Sequence, residues 1–117
     1  MMDMDGEMGM SPKRVGPEVV TPLIIDGIRL EAVNAGRARG LSQNGGYLEA
    51  FDVASGKTLW LLQVYQIKYD QEMEEDVQDR FISKLVWQAQ NKTVLVIDEF
   101  GKRYQLDLQN KIVQALP

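Results

Sequence analysis

The chain has 117 residues, of which 44 % are hydrophobic and 26 % are charged, and its formal net charge is −4. This length suits one domain with its own core, and the composition is that of an ordinary globular protein. Cysteine and histidine are both absent, which excludes disulfides, thiolate or imidazole metal ligands and a histidine general base. We therefore expect no metal site, no cofactor and no enzymatic activity, and the negative charge disfavours nucleic-acid binding.

The first 17 residues are predicted to be a disordered tail, followed by a single domain over 18–117. Glycine and proline recur in this tail and Val15 is its only branched apolar residue, so it cannot bury enough surface to offset the entropy of ordering. Its methionines resemble soft Cu(I) ligands, but its composition favours disorder. It lacks the basic start and apolar stretch of a secretory signal, so we expect a cytoplasmic protein.

The ordered region is predicted to begin with an edge strand and a hairpin. Pro22 cannot donate a backbone hydrogen bond, which restricts a strand at 18–25 to the edge of a sheet. The Asp26-Gly27 pair between two apolar runs is typical of a two-residue hairpin turn. Residues 34–46 contain four glycines and no apolar pattern, and they predict a long loop of the kind that is often functional or mobile.

The middle of the chain predicts two strands and a helix. A strand at 47–53 is followed by a Ser-Gly turn and by the strand 58–68, whose apolar residues on both faces predict a central position. After it, Asp70 is a candidate N-cap, and Met73 and Val77 lie four residues apart. This spacing predicts a short amphipathic helix at about 70–80 that packs on the sheet.

The last third of the chain predicts three strands and a short closing strand, IVQAL. In RYQLDL, apolar and polar residues alternate, as in a strand with one buried face. The main strands are expected at 81–89, 93–98 and 103–108. The whole chain therefore predicts an α+β fold that is mostly antiparallel β, with about six or seven short strands and one helix.

One stretch resembles a known repeat. GYLEAFDVASGKTLW (46–60) is similar to part of a blade of the quinoprotein-type β-propellers, and QLDLQNKIV (105–113) echoes it after one deletion. Propellers close a ring of four to eight blades of about 40 residues each. Since the ordered residues supply two blades at most, the resemblance implies neither a closed propeller nor a quinone site, and we assign no family to the whole chain.

Two groups of charged residues are candidate binding sites. In GRARG (36–40), Arg37 and Arg39 are flanked by glycines and could bind phosphate or carboxylate through their guanidinium groups. The segment 70–79 is acidic, but it has Glu75 where an EF-hand loop needs glycine, which disfavours calcium. Its candidate contacts for a basic partner surface are Glu72, Glu74, Glu75 and Asp76.

The sequence therefore leaves two functions open. The first is a small non-enzymatic domain that binds a protein partner through a sheet edge or a charged face. The second is a module that binds a small anionic ligand through the loop of Arg37 and Arg39.

Overall fold

A computed structural model of the chain describes residues 19–117, apart from the side chains of Glu75 and Asp76. These residues form eight strands in two antiparallel sheets. The first sheet consists of β1 (Leu23–Ile25), β2 (Ile28–Val33), β3 (Tyr47–Asp52) and β4 (Thr58–Gln63). The second consists of β5 (Ile82–Gln88), β6 (Thr93–Asp98), β7 (Arg103–Asp107) and β8 (Ile112–Ala115). In both sheets the spatial order of the strands follows the chain.

The first sheet begins with the hairpin turn that the sequence predicts. Asp26 and Gly27 both have positive φ, 50° and 78°, as a type I′ turn requires. Side-chain alternation then directs one face of the sheet into the core: Leu30 lies opposite Ala50, and both are fully buried together with Leu48. We call this side of each sheet its inner face and the opposite side its outer face.

The second sheet follows the predicted strands closely. Val94 on β6 lies opposite Leu106 on β7, and both are fully buried on the inner face. The predicted closing strand is confirmed as β8, where Val113 lies opposite Leu106. Polar Gln105 occupies the outer face between two buried residues of β7, as period-two alternation requires.

The two sheets pack on each other through their inner faces, with the first strands of the two sheets close together and the last strands close together. Their buried apolar residues form a single core cluster that draws on both sheets. The first strands of the sheets, β1 and β5, are in contact. Near the last strands, the ammonium of Lys111 lies 5.9 Å from the centre of the Trp60 ring. The strands of the two stacked sheets therefore follow the same spatial order, from the first strand to the last.

The predicted helix at about 70–80 is wrong in length, and the fold is mostly antiparallel β instead of α+β. The Asp70 side chain accepts a hydrogen bond from the amide of Glu72 at 2.9 Å and forms a local turn. Only Glu75–Gln78 is helical, which is a single turn. Met73 and Val77 are 53 % and 50 % exposed, so they do not pack on the sheet. Without such packing, a helix this short has little to stabilise it.

The predicted central strand at 58–68 is also wrong. It ends at Gln63 and forms the edge of the first sheet as β4, because a meander leaves its last strand with one neighbour. Leu59 and Leu61 on this strand are 50 % and 38 % exposed. The apolar residues that follow, Val64 and Tyr65, are buried in the connection to β5. The prediction of an edge strand beside Pro22 is confirmed, since β1 begins at the next residue and is an edge.

Between residues 19 and 117, no helix is long and apolar enough to cross a membrane. The predicted tail, 1–17, lies outside the described residues, together with its methionine pairs. Both the tail and its boundary with the domain stay predictions.

Candidate functional site

The loop between β2 and β3 is held in a compact conformation by its own backbone. A 3₁₀ turn, Gly36–Arg39, ends at Gly40, whose φ of 84° is left-handed. The amide of Gly36 donates to the carbonyl of Asn44 at 2.9 Å, which joins the two ends of the loop. Glycine at these positions therefore provides tight turns and close backbone contact.

Gln43 attaches this loop to the connection between β4 and β5. Its side chain is almost fully buried, and its Nε2 donates to the carbonyls of Gly45 and Tyr65, both at 2.8 Å. Its Oε1 accepts a hydrogen bond from the amide of Ile67, also at 2.8 Å. One buried amide thus satisfies three backbone groups from two segments that are distant in sequence.

Arg39 is bound to a carboxylate on the outer face of the first sheet. Its Nη1 and Nη2 donate to the two oxygens of Glu49 at 2.7 and 3.1 Å, and Thr58 donates to the second oxygen at 2.9 Å. These hydrogen bonds, chiefly those from Arg39, hold the pKa of Glu49 below its ordinary value of 4.5. The arrangement is a bidentate pair in which the arginine charge is already neutralised.

Arg37 lies in a different environment, above an aromatic ring. Its guanidinium carbon is 5.1 Å from the centre of the Tyr69 ring. The hydroxyl of Tyr69 donates to Asp79 at 2.6 Å, and the side-chain Nδ2 of Asn44 donates to the other oxygen of that carboxylate at 3.0 Å. Burial, followed by the hydrogen bond to Asp79, raises the pKa of Tyr69 to about 12. This cluster joins the loop to the end of the acidic segment.

A buried ion pair lies deeper, where the connection meets the second sheet. Arg80 Nε is 2.9 Å from Asp98 Oδ2, in a geometry that makes the contact an ion pair and not a hydrogen bond. The other oxygen of Asp98 accepts the amides of Phe100 and Lys102, both at 2.9 Å. The guanidinium of Arg80 also covers the Tyr65 ring, at 4.4 Å from its centre. Asp98 is therefore a buried charge with a cation and two amides as partners.

The two arginines of the predicted anion site are not brought together. Arg39 points to Glu49 and Arg37 lies over Tyr69, so their guanidinium groups do not converge on one ligand position. An anion at Arg39 would have to displace a carboxylate that makes two hydrogen bonds to it. The anion site stays a prediction that this geometry does not favour.

The acidic segment presents part of the predicted partner contact to solvent. Glu72 and Glu74 are exposed. The side chains of Glu75 and Asp76 lie outside the described residues, although their backbone forms the single helical turn. Among the residues described, no three acidic side chains come close enough to hold a metal ion.

The open edge of the first sheet is a candidate contact surface; the sequence predicted contact through a sheet edge but did not show which edge is open. β4 pairs with β3 on one side only, and its sequence TLWLLQ has no charged residue. We call this side of β4, with the half-exposed Leu59 and Leu61, the β4 edge. A pairing irregularity opposite Ala50 and Phe51 leaves Leu59 without a direct partner on β3. No local signal marks this edge, because the apolar run of the sequence continues through Tyr65 and Ile67 beyond the end of β4.

Comparison with protein-family models and with characterised proteins finds no match.

Proposed function

We propose that this chain is a small non-enzymatic domain that binds a protein partner at the β4 edge. The observation that carries this proposal is an open strand edge without charge on which Leu59 and Leu61 are half exposed. An unpaired strand offers a row of backbone donors and acceptors, and apolar side chains add specificity. An extended segment of the partner would continue the first sheet as a fifth strand.

The other three sheet edges carry features that oppose strand addition. Pro22 precedes β1, which also contacts the second sheet. β5 contains the exposed Lys84. β8 is only four residues long and includes Gln114, while Lys111 precedes it as Lys57 precedes β4. Proline and lysine are the residues by which proteins protect sheet edges, and β4 has neither.

The acidic segment adds a preference for the charge of the partner. It lies soon after β4 in the chain, and Glu72 and Glu74 point into solvent. A partner strand flanked by lysine or arginine would be attracted to these carboxylates, most strongly at low ionic strength. We expect an apolar strand with a basic flank, in a cytoplasmic protein.

The non-enzymatic part of the proposal is supported by how the described acids are used. Asp79 is bound by Tyr69 and Asn44, and Asp98 is bound by Arg80. Both carboxylates are thus engaged in contacts within the fold. With no histidine or cysteine in the chain, these hydrogen-bonded acids support binding over catalysis.

The test is affinity capture from a cell lysate with the whole chain as bait, at low and high salt. Leu59→Lys places a charge on the β4 edge and should reduce capture of the partner about tenfold or more. Phe100→Lys is the matched control, since Phe100 is 67 % exposed but lies in the turn between β6 and β7. Equal capture by both variants, or no enrichment at low salt, would contradict the proposal.

A further inference from the structure

The two sheets carry the same turn at the same place, between their third and fourth strands. The carbonyls of Asp52 and Asp107 each accept the amide four residues ahead, from Gly56 and Lys111, both at 2.7 Å. Each aspartate side chain also accepts the amide three residues ahead, at 3.1 and 3.2 Å. Gly56 and Lys111 both have positive φ, 76° and 57°. The sequence echo therefore marks equivalent positions in two copies of one structural unit.

Equivalent residues of the two turns point to opposite sides of the molecule. Counting back from the aspartates, Phe51 matches Leu106 and Ala50 matches Gln105. Ala50 faces the core and Phe51 lies on the outer face, whereas Leu106 faces the core and Gln105 lies on the outer face. If a two-fold axis related the two sheets, both members of each pair would face the core, or both would lie on an outer face. The sheets are instead related head to tail, so that the face of one sheet that points into the core is equivalent to the outer face of the other.

This relation makes the two outer faces counterparts of the two inner faces. The outer face of the second sheet corresponds to the inner face of the first, and the outer face of the first corresponds to the inner face of the second. We propose that the outer face of the second sheet in one copy of the chain packs on the outer face of the first sheet in a second copy. The contact between copies would repeat the contact that already joins the two sheets within one copy.

The side chains on both outer faces have the character of an interface. The first sheet presents Ile24, which is 68 % exposed, and the partly exposed Phe51. The second sheet presents Ile112, which is 62 % exposed, and partly exposed apolar residues on β5 and β6. These are Val86, Leu95 and Ile97. Apolar residues surrounded by polar ones are typical of surfaces that bind another protein.

The charges on the two faces are compatible with this contact. The outer face of the first sheet carries the ion pairs of Arg29 with Glu31 and of Arg39 with Glu49, and that of the second carries Lys84 and Arg103. Because the acids of the first face are already paired with arginines of the same chain, this face is close to neutral and does not repel the basic face of the second sheet. The proposed function uses the unpaired backbone of β4 at the edge of the sheet, although the side chain of Leu61 lies on the outer face, opposite Glu49. This inference rests on the two outer faces and not on the open backbone of β4, so it does not depend on the proposed function.

A head-to-tail contact leaves one outer face uncovered at each end unless the copies close into a ring. Rings of stacked four-stranded sheets close with about four to eight sheets. The described residues supply two sheets per chain, so we expect two to about four copies in the closed assembly. Closure would complete the arrangement to which the blade-like sequence is similar.

The first measurement is the mass of the full chain in solution, by sedimentation equilibrium or light scattering over a wide concentration range. A closed ring predicts a plateau at two to about four times the monomer mass of 13.3 kDa. A mass of 13.3 kDa at every concentration would overturn the inference.

The second measurement uses one variant for each face. Ile24→Glu modifies only the first sheet and Ile112→Glu only the second, and each should weaken self-association about tenfold or more because it buries a charge at the contact. Because the contact is head to tail, the two variants should stay monomeric alone, yet form a two-chain complex when mixed in equal amounts. Each retains the face that the other lacks.

Two results of the mixing experiment would overturn the inference: either variant associating by itself as wild type does, or the mixture staying monomeric. Cooperative thermal unfolding confirms that each variant is folded; a variant that fails this check is replaced by Ile24→Gln or Ile112→Gln, respectively. Ile24→Glu lies on the strand at the opposite edge of the first sheet from β4, so it should capture the partner as the wild type does. The solution mass tests this inference, and partner capture tests the proposed function. Because the two are measured separately, failure of one proposal is distinguished from failure of the other.

Discussion

Replacement of Gln43 tests whether its hydrogen bonds hold the β2–β3 loop on the connection between β4 and β5. In Gln43→Leu, the carbonyl of Gly45 and the amide of Ile67 lose their bonds to this side chain. The carbonyl of Tyr65 keeps a second donor, the Gln63 side chain, at 3.2 Å. Each buried backbone group left unpaired costs about 1–3 kcal/mol, so we expect a loss of about 3 kcal/mol in the free energy of unfolding.

The free energy of unfolding is measured by urea denaturation, followed by tryptophan fluorescence and by circular dichroism. The matched control is Gln66→Leu, which makes the same chemical change at an exposed position of the same connection. For a domain of this size, a loss of about 3 kcal/mol lowers Tm by about 12 °C, while the control should change the free energy by less than about 0.5 kcal/mol.

A loss below about 1 kcal/mol in Gln43→Leu would refute this reasoning, because one unpaired buried group alone should cost that much. An equal loss in the control would refute it as well, since the effect would then come from the added apolar surface. Two-state behaviour is checked by the coincidence of the two spectroscopic transitions.

Two further predictions concern acid stability and a close backbone contact. Because Arg39 lowers the pKa of Glu49, its ion pair stabilises the fold above about pH 4.5 and is lost as the pH falls through the lowered pKa. Glu49→Gln should therefore be less stable at pH 7 and show a weaker dependence on acid in urea titrations from pH 7 to about pH 3. Gly45→Ala would place a Cβ against the carbonyl oxygen of Arg80 and should cost about 2 kcal/mol or more. Gly40→Ala, at φ 84° in open space, should cost about 1 kcal/mol in the same assay.

Local patterns were sufficient to predict most of the strands. Period-two alternation marks β7, and the Asp26-Gly27 turn determines how β1 meets β2, because both signals act over a few residues. The helix prediction failed for the opposite reason. Met73 and Val77 have helical spacing, but an amphipathic helix forms only where its apolar face finds a surface, and these residues find none.

For the predicted binding residues too, the sequence shows local features but not the partners that meet after folding. The sequence shows that Arg37 and Arg39 share a glycine-rich loop, but not that Glu49, ten residues away on a neighbouring strand, binds the second of them. Long-range partners such as Arg80 and Asp98 are equally invisible, because a charged residue carries no local mark of its partner. The hydrogen bonds of Gln43 belong to the same class.

Composition and short-range pattern by themselves determined that this chain is β-rich, lacks the residues for thiol and imidazole chemistry, and repeats one turn motif. Only the tertiary structure decided that the motif marks two sheets stacked head to tail, that β4 is an open edge and that the arginines diverge. The physical reason is that turns and strands depend on neighbours in the chain, whereas the facing of sheets and the pairing of charges depend on residues that meet only after folding.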